Sequence, residues 1–188
     1  AVKNSGPVTN ANIGILGFGP IGMSVLLPAR AGGANRVYVT DKINERLEIA
    51  KKSGVNWAGN PDRSDVVAEI KKHEPLLLDI IYECCGQQDA MDQAVELIKP
   101  GGKIMIVGIP EAECWSFNAD LMRRKEITLI NVRRQLHCTE DALENIDQGI
   151  LDVSRMPTHH FSFDRTKEAF DLVAGYSDGV MKAMIEFD

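Results

Sequence analysis

Cysteine is scarce in this chain: Cys84, Cys85, Cys114 and Cys138 are the only four in 188 residues. None forms a CxxC pair, and so few in a chain this long exclude a disulfide-stapled framework. The four histidines, His73, His137, His159 and His160, stand at no zinc spacing from them, so these residues are expected to bind no metal. Adjacent Cys84 and Cys85 close an apolar run and read as small buried hydrophobes. No apolar run approaches the ~18 residues of a membrane span. The opening residues, Ala1 to Pro7, lack the basic and apolar regions of a signal peptide. An excess of positive charge is also missing. The formal net charge of −6 argues against a nucleic-acid-binding surface. Solenoid repeats and low-complexity segments are absent. What remains, 44% hydrophobic and 26% charged, is the composition of one globular domain with a sizeable core, and a cytoplasmic protein is the default expectation.

The informative stretch is Gly17-Phe18-Gly19-Pro20-Ile21-Gly22. It follows the apolar run Ile13 to Leu16 and opens a helix-like segment from Met23 to Ala31. A second apolar run, Val37 to Thr40, ends in Asp41, 19 residues after Gly22. Strand, glycine turn, helix, strand and acid together form the dinucleotide-binding fingerprint. Gly17 permits the tight turn, Gly19 lets a pyrophosphate approach the backbone, and Gly22 lets helix and sheet pack closely. Pro20 suits the first helical position, where a missing N–H costs nothing. The helix start offers unpaired N–H groups and the positive end of its dipole to phosphate. Asp41 can accept both hydroxyl hydrogens of an adenosine ribose and would repel a 2′-phosphate, so NAD is expected over NADP. Lys42 weakens that preference without reversing it.

Strand-like and helix-like segments alternate along the chain, which predicts an α/β Rossmann fold: a doubly wound, six-stranded parallel sheet. The strands are expected at 12–16, 36–40, 56–58, 76–82, 103–107 and 127–132. The helices are expected from Pro20 to about Gly32, then at 44–52, 65–72, 88–98, 118–124 and 139–148, the last capped by Thr139. Pro28 should kink or shorten the first. Beyond Asp152 a strand-helix-strand segment (159–163, 164–174, 180–187) is surplus to the sheet. The chain therefore divides into a Rossmann domain, 1–152, and a C-terminal segment, 153–188.

As a set, these blocks resemble zinc-type medium-chain dehydrogenases, which include alcohol, sorbitol and threonine dehydrogenases. The similarity runs from the glycine turn through Thr40-Asp41, Arg46-Leu47, Asp79 to Glu83 with Gly86, Lys99-Pro100-Gly101-Gly102 and Val107-Gly108-Ile109-Pro110. It continues into the tail at Thr158-His159, Glu168-Ala169-Phe170 and Lys182. The resemblance implies NAD as cofactor, held at the carboxyl ends of the strands. Arg46 would flank the ribose or adenine, with a solvated helix residue as the alternative reading. Cys84, Cys85 and Gly86 would line the adenine side and the switch point. Val107, Gly108, Ile109, Asn131, Val132 and Arg133 would serve the nicotinamide end. Lys182 would reach the pyrophosphate, or be a plain surface charge.

That family carries its catalytic zinc on an N-terminal domain. No counterpart of that domain is seen in this sequence, so zinc is implied for the intact enzyme and not for this chain. The chain alone is expected to bind cofactor without turning over the alcohol or polyol substrate. A homo-oligomer is implied through the segment around Trp115 and Phe117, which alternatively tuck into their own domain. Two rivals stay open: an NADP-dependent member of the same family, and a non-catalytic Rossmann nucleotide sensor. A short-chain reductase is not expected, because the Tyr-x-x-x-Lys spacing of that class reads as missing at Tyr38, Tyr82 and Tyr176.

Overall fold

A computed structural model of the protein describes residues 1–135 and 137–187. Six parallel strands form one sheet in the order β3-β2-β1-β4-β5-β6. They are β1 (Asn12–Leu16), β2 (Arg36–Thr40), β3 (Trp57–Gly59), β4 (Leu78–Glu83), β5 (Ile98–Ile106) and β6 (Thr128–Asn131). The chain winds outward from β1 to β3, returns to β4 beside β1, then winds the other way, so the switch point lies between β1 and β4. Strand residues alternate between two cores. Ile13, Ile15, Val37, Val39, Ile80, Tyr82 and Met105 enter one. Tyr38, Leu78, Ile81 and Ile104 enter the other. Both faces are thus covered, as a parallel sheet requires.

The crossover helices are α2 (Pro20–Ala31), α3 (Asn44–Lys52), α4 (Val66–His73), α5 (Gln88–Leu97) and α6 (Ala119–Arg124), with α7 (Thr139–Asp147) after β6. A short helix, α1 (Val2–Ser5), precedes β1 and was not expected from the sequence. It is fixed from within the fold: Ser5 Oγ lies 2.7 Å from the buried Tyr82 hydroxyl, and Lys103 Nζ donates to the Ser5 carbonyl at 2.7 Å. Lys125 Nζ donates to the carbonyls of Val95, Glu96 and Ile98. That places a cation on the open carbonyls at the end of α5.

Several boundaries differ from the sequence expectation. α2 continues through Pro28 to Ala31 and stops at Gly33, whose φ is +84°. The carbonyl that Pro28 leaves unpaired belongs to Ser24, which is exposed, so water can satisfy it. β4 starts at Leu78, because Leu77 adopts φ +65° in a turn closed by its N–H to the Glu74 carbonyl. β5 starts at Ile98, and the Lys99–Gly102 turn is an irregularity inside the strand pairing, between Leu78↔Ile98 and Ile80↔Lys103. Thr139 is the first residue of α7; Cys138 occupies the cap position without a side-chain bond.

After α7 the chain forms β7 (Pro157–Ser162), α8 (Thr166–Ala174) and β8 (Lys182–Glu186). β7 and β8 make a separate two-stranded parallel sheet. Its attachment to the larger sheet runs through Val180 and Met181, both buried, with Met181 joining the core around β1 and β2. Among the described residues no helix is long and apolar enough to cross a membrane.

Candidate functional site

Because all six strands are parallel, the segments 17–22, 41–43, 84–87, 107–110 and 132–134 leave the same edge of the sheet. The crevice at the switch point is therefore built from the turn after β1 and the turn after β4. The two turns meet closely. A Cβ on Gly17, whose φ is +93°, would lie 2.8 Å from Cys85 Cβ. A Cβ on Gly22 would lie 2.2 Å from the Gly17 carbonyl oxygen, so the turn and the first turn of α2 fit together only with glycine there. Gly19 differs. A Cβ on it would meet only the Arg46 guanidinium, with Nη1 at 3.3 Å. The backbone at Gly19 thus faces open space beside a cation, at a helix start with Pro20 in first position and Ile21 half exposed. That cradle fits a diphosphate.

Asp41 is only 8% exposed. Its Oδ2 accepts the Phe18 N–H at 2.6 Å and its Oδ1 accepts the Ile43 N–H at 2.8 Å. The carboxylate predicted to take the ribose hydroxyls therefore also holds the glycine turn in place, a role the sequence reading missed. Each oxygen keeps a second lone-pair direction for a ligand hydroxyl. Lys42 Nζ lies 3.3 Å from Asp62 Oδ1 rather than on Asp41. Tyr38 and Lys42 do stand four residues apart, contrary to the expectation that no tyrosine has that spacing. The spacing carries no catalytic pair. The Tyr38 hydroxyl donates to Glu74 within the core at 3.2 Å, while Lys42 turns to solvent and Asp62.

Arg46 departs from its reading as a solvated helix residue. It is buried, its Nε donates to the Val180 carbonyl at 2.9 Å with Nη2 on the same oxygen, and its Cζ lies 5.6 Å from the centre of the Tyr176 ring. Nη1 remains beside Gly19. No local pattern announced this contact, since Val180 lies 134 residues away. Lys182 is exposed at the start of β8, two residues beyond that carbonyl.

Cys84 is half-buried and Cys85 exposed, so the reading of both as buried hydrophobes fails for Cys85. The Cys85 thiol nevertheless sits between the Gly17 turn and Glu83. Desolvation, reinforced by the Glu83 carboxylate, pushes it up to about 12. The same two causes raise Cys84 well above the usual thiol range. Glu83 itself is fully buried. One oxygen, Oε1, accepts the N–H groups of Cys85 at 2.8 Å and Gly86 at 2.6 Å. The Glu83 carbonyl accepts those of Val107 and Gly108, both at 2.9 Å. A single residue thus joins the turns after β4 and β5.

At the far end of the crevice Ile109 is 88% exposed and Asn131 and Arg133 are also exposed. A groove of about 690 Å³ flanks this end between α1, α2 and α7; of the predicted residues it takes in Val132 and Arg133. Trp115 is half-buried against its own core and only Phe117 projects clearly, so the two do not form one exposed face. Among the described residues no group of three or more His, Cys, Asp or Glu side chains is arranged to hold a metal ion, so these residues do not fit a zinc site.

Comparison with known proteins follows the same lines. A family model described as zinc-binding dehydrogenase matches residues 20–148. Sorbitol dehydrogenase of Bacillus subtilis is 29% identical over 176 residues, covering 93% of this chain and 50% of that protein. L-threonine 3-dehydrogenase of Chromobacterium violaceum is 33% identical over 170 residues, covering 89% and 50%. The chain thus spans about half the length of the curated relatives it matches. The crystal structure of an Escherichia coli oxidoreductase of unknown specificity superposes over the whole chain and 54% of its own, with a TM-score of 0.92 and 28% identity. Two further structures share the fold at lower identity. One is a Sinorhizobium meliloti protein bound to NADP (24%, TM-score 0.88, covering 98% of this chain and 54% of its own). The other is an Escherichia coli alcohol dehydrogenase complexed with NADH (23%, TM-score 0.90, covering 99% and 55%).

Proposed function

The chain belongs to the zinc-binding dehydrogenase family, and from that premise we propose that it is the NAD(H)-binding part of an enzyme oxidising an alcohol or polyol. The observation that carries this reading is Asp41, a carboxylate at the end of β2 that grips the glycine turn at Phe18; in this reading it meets the adenosine ribose, where its charge would repel a 2′-phosphate. The pairing of Lys42 with Asp62 supports NAD over NADP, because it draws the neighbouring cation away from Asp41.

In this reading the first-turn N–H groups of α2, the Gly19 backbone and the Arg46 guanidinium hold the diphosphate. Asp41 holds the adenosine ribose. The turn at 84–86 lines the adenine side and the switch point, and the turn at 107–109 flanks the nicotinamide end, where the exposed Ile109 supplies an apolar surface for a ring. When bound, the cofactor supplies hydride acceptance and return. This chain binds, orients and shields it.

The zinc ligands and the substrate pocket are assigned to residues outside this sequence. The β7–β8 unit supports that assignment. A two-stranded parallel sheet is not stable uncovered, and Phe163, Phe170 and Phe187 around it are all more than 60% exposed, as befits a unit that docks on another part of the enzyme. Self-association through the Phe117 segment belongs to the same proposal and predicts a concentration-dependent sedimentation coefficient. Titration of the protein with NADH and NADPH, followed by nicotinamide fluorescence, tests the central claim. NADH is expected to bind more tightly. Binding of neither nucleotide refutes it.

A further inference from the structure

Glu83 Oε2 is a buried side-chain oxygen with no hydrogen-bond partner among the described residues. Buried polar atoms are almost always paired, and an unpaired carboxylate oxygen keeps more of its charge unneutralised than one wrapped in donors. Its place is informative. Both backbone donors converge on the other oxygen, Oε1. Oε2 faces the backbone of Gly108, where an added Cβ would come within 2.7 Å of it and within 2.4 Å of the Gly86 N. Gly86 is equally tight, since a Cβ there would lie 2.1 Å from the Ile109 carbonyl oxygen. The turns after β4 and β5 are therefore in backbone contact with a carboxylate directly beneath them, and no side chain stands between that oxygen and the Gly108 backbone.

We infer that Glu83 is an electrostatic specificity residue for the redox state of the cofactor: its half-paired buried carboxylate favours the cationic oxidised nicotinamide over the neutral reduced one. This rests on the dinucleotide reading above. Of the two turns that Glu83 joins, the one its bare oxygen faces, 107–109, is assigned there to the nicotinamide end, and the other, 84–86, lies against it at the switch point. In an environment of low effective dielectric a fixed negative charge beneath that end stabilises a ring carrying a positive charge and leaves a neutral ring almost unaffected. The same carboxylate lies close enough to Cys84 and Cys85 to be the second cause, after desolvation, that raises their thiols.

The test separates charge from scaffolding. Glu83→Gln keeps an oxygen for the Cys85 and Gly86 N–H groups and removes the charge. Dissociation constants for NAD⁺ and NADH are measured for both proteins. The variant is expected to lose affinity for the oxidised form on the order of tenfold, the scale of one unit charge at a protein's effective dielectric, with the reduced form little changed. Equal weakening of both forms, or an unchanged ratio, overturns the inference and leaves Glu83 as a structural brace. If the variant does not fold, the unmodified protein still decides. The neutral benzamide analogue of the oxidised dinucleotide should then bind weaker than NAD⁺ by a similar factor, and equal affinities overturn the inference. Failure of the unmodified protein to bind any of these nucleotides refutes the dinucleotide reading itself, a distinct result.

Discussion

Replacing Asp41 by serine separates its two roles. The carboxylate accepts backbone N–H groups from Phe18 and Ile43, and hydrogen bonds to a charged group contribute about 1.5–3 kcal/mol each. A serine hydroxyl is too short to reach both and can recover one at most. At 8% exposure water replaces little of the loss, so the net destabilisation should be about 2–4 kcal/mol. In a domain of this size each kcal/mol lowers the melting temperature by roughly 2–4 °C, which predicts a fall of about 4–16 °C by circular dichroism. Asp41→Asn, with one carbonyl oxygen retained, should lie between parent and serine variant. The second effect is read by titration: loss of the negative charge should narrow the preference for NADH over NADPH. A serine variant that melts within about 1 °C of the parent refutes the brace. A preference left unchanged in a folded variant refutes the ribose assignment.

Two further outcomes follow from the crevice. Arg46→Ala removes the only described side-chain grip on the Val180 carbonyl, so backbone amides of residues 176–181 should exchange hydrogen markedly faster. The expected stability loss is about 2–3 kcal/mol, the scale for a charged donor lost from a buried acceptor; unchanged exchange there refutes the clamp. Cys85, despite its exposure, should alkylate far more slowly than Cys114 at pH 8, because its thiol is held up to about 12. The sign of the linked effect is fixed. Below the unfolded value near 9 the thiol is protonated in both states, and above it only the unfolded chain releases the proton, so stability falls as pH climbs from 9 towards 12. Peptide mapping after iodoacetamide that finds Cys85 labelled first contradicts this.

The sheet was legible because its determinants are local. Runs such as Val37 to Thr40 and Ile80 to Tyr82 declare buried parallel strands, and Gly17 to Gly22 with Asp41 declares the first crossover by spacing alone. What escaped depends on distance or on lone-pair geometry. The path of α2 through Pro28 turns on whether the freed Ser24 carbonyl meets water, which no sequence window reveals. The burial of Arg46 needs Val180 to arrive from the far end of the chain. Glu83 reads as a polar end to a strand, and only the fold brings two turns onto one of its oxygens and leaves the other bare. Cys85 failed as a core residue because the strand stops at Glu83, so the apolar run outlasts the element that would have buried it.

Met181, with Val180 buried beside it, closes the interior that β1 and β2 begin. During synthesis the first strands emerge from the ribosome long before those two residues exist, and until then the part of this core that Met181 covers stays open to water. Closure of this core is therefore deferred to the arrival of residues 180 and 181, and a translational pause shortly before residue 180 would expose the half-made molecule to chaperones or to aggregation.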